Sequence, residues 1–129
     1  MNQQPLILVV DDEAYFREIF SEKLQALTFR VDIAEDAESA LQKARTIHPD
    51  LILMDVRMPG MDGIQAVRKL KDDPATRNIK VVFLTNLGET QAAMQEIDKK
   101  FSVDVGAIGY IKKSEDLDEM VQQIKSFLP

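Results

Sequence analysis

Three short runs of this chain, Leu6-Ile7-Leu8-Val9-Val10, Leu51-Ile52-Leu53-Met54 and Val81-Val82-Phe83-Leu84, contain no polar residue. Strands with one wet face alternate apolar and polar positions, so uninterrupted runs of this length predict strands buried on both faces of a parallel sheet. Two further β-prone runs follow the same spacing, Arg30-Val31-Asp32-Ile33-Ala34 and Gly109-Tyr110-Ile111. Between them lie stripes with helical period: Phe16, Phe20, Leu24, Leu27; Ala37, Ala40, Leu41, Ala44, Ile47; Ile64, Val67, Leu70; and Leu117, Met120, Val121, Ile124, Leu128. Residues 89–101 also have helical character, with Ala93, Met94, Ile97 and Phe101 on one side. Breakers punctuate the alternation at His48-Pro49, Pro59-Gly60, Asp73-Pro74 and Gly106. The result is β–α repeated five times. Right-handed crossovers then place helices on both faces of one open sheet, and ligands belong beyond the carboxyl ends of its strands.

The remaining bounds narrow the chemistry. A chain of 129 residues fits one domain over 1–129, and 45% hydrophobic content is enough for a packed core. A net charge of -6 argues against a nucleic-acid surface. With no cysteine, neither a disulfide nor a thiolate metal site can form, and the lone His48 cannot build a histidine metal site. No run approaches a membrane span, and residues 1–5 do not resemble a signal peptide, so a soluble cytoplasmic domain without membrane contact is expected.

The strand ends carry the polar residues. Asp11, Asp12 and Glu13 follow the first run, Asp55 the third, Thr85 the fourth, and Lys112 and Lys113 the fifth. Taken singly, each has an ordinary reading: Asp11-Asp12 as a helix cap, Asp55 as a loop residue, Thr85 as a satisfied hydroxyl, the lysines as solvated, Tyr110 as packing. Taken together, they bring carboxylates, a hydroxyl and an ammonium to one sheet edge. Crowded carboxylates need compensation, and a hard divalent cation with oxygen ligands supplies it. Asp12 and Asp55, with a backbone carbonyl near Arg57, suit such an ion, and a central carboxylate can act as a nucleophile to form an acyl phosphate.

These residues resemble the receiver domain of two-component response regulators, of the single-domain chemotaxis type. The signatures are Val9-Val10-Asp11-Asp12-Glu13, Leu53-Met54-Asp55-Val56-Arg57-Met58-Pro59-Gly60-Met61-Asp62-Gly63, Leu84-Thr85, and Gly106-Ala107-Ile108-Gly109-Tyr110-Ile111-Lys112-Lys113. The resemblance covers nearly the whole chain and implies a flavodoxin-like fold, a doubly wound five-stranded parallel sheet of order 2-1-3-4-5. It implies a regulatory protein rather than an enzyme, one that assists its own aspartyl phosphorylation and dephosphorylation. The phosphoryl group would come from a sensor histidine kinase or a histidine phosphotransfer protein, with magnesium or manganese. By matching position Asp55 is the phospho-acceptor, and Asp11, Asp12, Asp55 and the Arg57 carbonyl form the metal site. Thr85 and Tyr110 are the switch pair, and Lys113, rather than Lys112, is the counter-charge. The face made by the fourth helical segment, the fifth strand and the last helix would then control a partner protein.

The chain departs from the family at several points. Ser114 stands where the family usually has a proline after a cis bond. A cis bond before a non-proline residue costs about 2.5–4 kcal/mol, so a trans bond with Ser114 capping the last helix is the expectation. Thr85 and Lys113 are 28 positions apart, longer than the family's usual spacing, with the surplus assigned to residues 95–105 beside the output face. There it either alters partner choice or self-association, or is a tolerated surface insertion. Asn86, Arg57 and Leu87 flank the expected acyl phosphate and predict a phosphorylated state that outlasts seconds. The competing readings are a receiver-like interaction module that needs no phosphorylation, an aspartyl phosphatase and a flavin-binding domain. Arg57 stands where a phosphatase would want an acid, and Asp11-Asp12-Glu13 would repel a flavin phosphate.

Overall fold

The computed structural model describes residues 4–85 and 106–128. Five strands, β1 (Leu6–Val10), β2 (Arg30–Ala34), β3 (Leu51–Asp55), β4 (Lys80–Thr85) and β5 (Gly109–Lys112), form one sheet of order β2-β1-β3-β4-β5. Every neighbouring pair is parallel. The described helices are α1 (Ala14–Ala26), α2 (Ala37–Ile47), α3 (Gly63–Asp72) and α4 (Leu117–Phe127). This is the flavodoxin-like doubly wound fold. The helix expected over 89–101, the long spacing at 95–105, and Asn86 and Leu87 lie outside the described residues.

The three uninterrupted apolar runs are the three central strands, and the two mixed runs are the edges. Alternate residues of the central strands face opposite cores. Leu8, Val10, Ile52, Met54, Val81 and Phe83 pack with Ala37, Ala40 and Ala44 of α2 and Ala66, Val67 and Leu70 of α3. Ile7, Val9, Leu51, Leu53, Val82 and Leu84 pack with Phe20 and Leu24 of α1 and Met120, Val121 and Ile124 of α4. All these side chains are at most 2% exposed. At about 25 cal/mol per Å² of apolar surface, this two-sided burial is the main favourable term in folding.

Local signals set the breaks. His48 closes α2 in the left-handed conformation at φ 46°. Asp73 is extended because Pro74 follows it. Asp62 caps α3 in a reciprocal pair with Gln65.

Three expectations change in detail. The runs ending at Met54, Leu84 and Ile111 each extend one residue further, so Asp55, Thr85 and Lys112 are the last residues of their strands. Ladder hydrogen bonds do not depend on whether a side chain is apolar, and the parallel pairing continues through Asp55 opposite Leu84 and Thr85 opposite Lys112. Leu27, placed on the α1 stripe, falls at the helix C-cap and is 38% exposed. Ser114 is not the cap of the last helix: Asp116 is, its side chain accepting from the Glu119 N–H at 3.1 Å. The Ser114 hydroxyl instead accepts from the Asp116 N–H at 3.0 Å and shapes the turn before the helix. No described peptide bond is cis, so Lys113-Ser114 is trans.

Candidate functional site

Strand alternation decides which polar residues meet. Asp11 continues β1 in the parity of Ile7 and Val9, its N–H bonded to the Ala34 carbonyl at 3.1 Å. Asp55 ends β3 in the parity of Leu51 and Leu53. Lys113 follows β5 in the parity of Ile111, its N–H bonded to the Thr85 carbonyl at 2.7 Å. All three therefore emerge on the α1–α4 side of the sheet. Thr85 shares the parity of Phe83, and Tyr110 packs against the core on the α2–α3 side.

On the first side the charges are dense and dry. Asp11 is fully buried, Asp55 is 3% exposed and Lys113 is 7% exposed. The Lys113 ammonium lies 2.6 Å from Asp11 Oδ2, 3.2 Å from Glu13 Oε1 and 3.6 Å from Asp55 Oδ2. Burial pushes the Asp55 carboxyl up to about 7; Lys113 opposes this, while Asp11 and Asp12 add to it. Burial raises Asp11 as well, against the pull of Lys113 and the Glu13 N–H. Burial alone would lower Lys113, but its bonds and attraction to Asp11, Asp55 and Glu13 outweigh this and hold it above the ordinary lysine range. Removing one member of such a buried set leaves the others uncompensated.

Hydrogen bonds to and from the backbone hold Asp11 in place. The Glu13 N–H donates to Asp11 Oδ1 at 2.8 Å, and Arg17 Nη1 donates to the Asp11 carbonyl at 2.7 Å. Behind Asp55, the first residue of α3 presses on the strand end: the Gly63 N–H donates to the Val56 carbonyl at 2.8 Å. A Cβ at Gly63 would lie 2.3 Å from the Asp55 carbonyl oxygen, so only glycine fits there.

Asp11, Asp12 and Asp55 each bring a carboxylate oxygen within 4.8 Å of the others. Hard oxygen donors of this kind suit magnesium or manganese, and the exposure of Asp12 leaves one side open for the waters that magnesium keeps. The residues present fit a divalent cation.

Chain comparison agrees with this arrangement. Residues 7–125 match the family model described as response regulator receiver domain. The chain belongs to this family. It is 40% identical over 122 residues to the phosphate regulon transcriptional regulatory protein PhoB of Escherichia coli, covering 95% of this chain and 51% of that protein. It is 54% identical over 82 residues to the response regulator PleD of Caulobacter vibrioides, covering 63% of this chain and 18% of PleD. The chain thus spans about half the length of PhoB, and less of PleD. Among solved structures, the chemotaxis protein CheY4 of Vibrio cholerae superposes with a TM-score of 0.82 at 26% identity, covering 97% of this chain and 99% of that one. The response regulator TrrA of Thermotoga maritima, solved in complex with Mg(2+)-BeF, has a TM-score of 0.80 at 30% identity, covering 97% and 100%.

As a receiver domain the chain has a regulatory, phosphoryl-accepting role in two-component signalling. Of the residues singled out in the sequence, the structure gathers Asp11, Asp12, Asp55 and Lys113 into one cluster. Lys112 is exposed. Thr85 is buried at the same strand-end level, its hydroxyl donating to the Ile111 carbonyl at a long 3.5 Å. Tyr110 is half-buried on the same side of the sheet, and Arg57 is exposed two residues after Asp55. The structure also brings Arg17 and Gly63 to this site, through the Asp11 carbonyl and the Asp55 carbonyl, and no spacing in the sequence signals either contact. Phe16 packs against the α1–α4 core, as its place on the α1 stripe predicts, and its ring centroid is also 4.8 Å from the Lys113 ammonium. No helix among the described residues is long and apolar enough to cross a membrane.

Proposed function

We propose that the chain is one cytoplasmic receiver domain over 1–129, in which Asp55 accepts a phosphoryl group from a phosphohistidine on a sensor kinase or phosphotransfer protein. The observation that carries this reading is a nearly buried Asp55 at a strand end, with the Lys113 ammonium 3.6 Å away and the oxygens of Asp11 and Asp12 within 4.8 Å. An Asp55 carboxylate oxygen attacks phosphorus as the donor's N–P bond breaks, giving an acyl phosphate. Asp11, Asp12, Asp55 and the Arg57 backbone carbonyl would hold a magnesium or manganese ion. Such an ion, when bound, neutralises charge on the transferring group. Lys113 adds a fixed positive charge to the same end in a site that excludes most water.

The new group carries roughly -1.5 to -2 charges and three acceptor oxygens. Thr85, whose hydroxyl makes one long bond among the described residues, turns it to one of them, and Tyr110 moves into the space left. The surface of β5 and the last helix changes with them, biasing a two-state equilibrium that a downstream protein reads. The test is transfer from a phosphorylated histidine protein, followed by label on the chain. Transfer to wild type and none to Asp55→Asn supports the reading. A variant Asp55→Asn that engages its downstream partner as wild type does would instead support a module independent of phosphorylation.

A further inference from the structure

Lys113 faces three carboxylates, and the nearest two are not the proposed phospho-acceptor. Asp11 at 2.6 Å and Glu13 at 3.2 Å both lie closer than Asp55 at 3.6 Å. Glu13 is 54% exposed and sits at the rim, so it offers the ammonium a way out toward water. The lysine side chain is nonetheless only 9% exposed. The remaining side is covered by the face of Phe16, with the ammonium 4.8 Å from the ring centroid. An ammonium over an aromatic face is attracted by the ring's quadrupole, more strongly when water is excluded.

The ring is itself fixed. It stacks on Phe20 at 5.4 Å between centroids and 22° between planes, and Phe20 is fully buried under the sheet. Phe16 and Lys113 also line, with Ile19, Ser114 and Leu117, a groove of about 580 Å³ that opens to solvent. On that side Phe16 is the wall that keeps the ammonium turned inward.

We propose that Phe16 is a positioning residue for Lys113: its aromatic face, anchored on Phe20, holds the ammonium within reach of Asp55 instead of releasing it past Glu13 to solvent. This rests on the reading of Asp55 as the phospho-acceptor. An aliphatic side chain of similar volume would keep the α1 packing and lose the attraction. A tyrosine would keep both, since position 16 is half-buried and its ring edge can carry a hydroxyl.

The test uses the full chain with phosphoramidate and saturating magnesium, following phosphoryl uptake, with the Lys113 ε-methylene proton shift read by NMR. Phe16→Leu is expected to slow uptake about three- to ten-fold, and Phe16→Tyr to stay within about two-fold of wild type. The Lys113 ε-methylene protons are expected upfield, under the ring current, in wild type and Phe16→Tyr, and near the free-lysine position in Phe16→Leu. Uptake by Phe16→Leu at the wild-type rate overturns the inference, as does equal slowing in both variants, which would mean packing alone. Absence of the upfield shift in wild type overturns it without any variant, should Phe16→Leu fail to fold. A wild type that shows the shift but takes up no phosphoryl group overturns the reading of Asp55, and this inference with it.

Discussion

The two sides of the sheet's carboxyl edge are built to opposite specifications. On the α1–α4 side, Asp11, Asp55 and Lys113 are buried and closely paired, with the Glu13 N–H bonded to the Asp11 carboxylate and the Arg17 guanidinium to the Asp11 carbonyl. On the α2–α3 side, among the described residues the Thr85 hydroxyl has one 3.5 Å bond, and Tyr110 is only half-buried. The first side is preorganised for charge, which is what a transferring phosphoryl group requires. The second is loosely bonded among the described residues, which suits the switch proposed for it. One strand-end register therefore holds a tightly paired half and, among the described residues, a loosely bonded half, separated by a single step of strand parity.

The largest effect is expected from breaking the fixed side at its counter-charge. Lys113→Ala leaves Asp11 and Asp55 buried without their cation. Denaturant unfolding in metal-free buffer should show a loss of roughly 3 kcal/mol, and phosphoryl uptake should slow at least about a hundred-fold. An unchanged unfolding midpoint would mean that the cluster is far better solvated than its burial indicates. Gly63→Ala comes next. Its Cβ must displace the Asp55 carbonyl or the start of α3, so a cost of about 2 kcal/mol and slower uptake are expected, read by the same two measurements.

A smaller and pH-dependent effect sharpens the picture. Asp55 has its pKa raised to about 7 by burial, above its ordinary 3.8. The folded state therefore holds a proton the unfolded state has lost, and without metal stability falls as pH rises from about 4 to about 7. Asp55→Asn removes that penalty. Thermal unfolding in metal-free buffer should show the variant more stable than wild type at pH 8, with the difference vanishing toward pH 4. Magnesium should stabilise wild type at pH 8, by relieving the same carboxylates, and the variant much less.

The smallest effect on the fold belongs to the side of Thr85. Thr85→Ala should change stability by less than about 1 kcal/mol, given its long hydrogen bond. Uptake should persist while the change at Tyr110 on phosphorylation, followed by its fluorescence, is lost. A stability loss as large as that of Lys113→Ala would erase the contrast between the two sides.

Much of this was legible in the sequence for one physical reason: strands buried on both faces leave no polar positions to confuse the pattern. The three apolar runs located β1, β3 and β4, and the polar residues right after them located Asp11, Asp55 and Thr85. The choice of Lys113 over Lys112 came from the resemblance, and strand parity accounts for the difference in where the two side chains lie. What the pattern could not carry was contact between segments. Phe16 fits the α1 stripe whether it packs on the core or lies over Lys113, because period reports a face and not a neighbour. Ser114 and Asp116 are both good caps, and only the backbone path chooses between them. Gly63 reads as a turn residue until α3 is seen against the Asp55 carbonyl.

The central claim is that Asp55 is the site of phosphorylation. Incubating the chain with a small phosphodonor and magnesium, then measuring intact mass, tests it most directly. A gain of one phosphoryl group is expected in wild type and none in Asp55→Asn. No gain in wild type, or an equal gain in both, would contradict it.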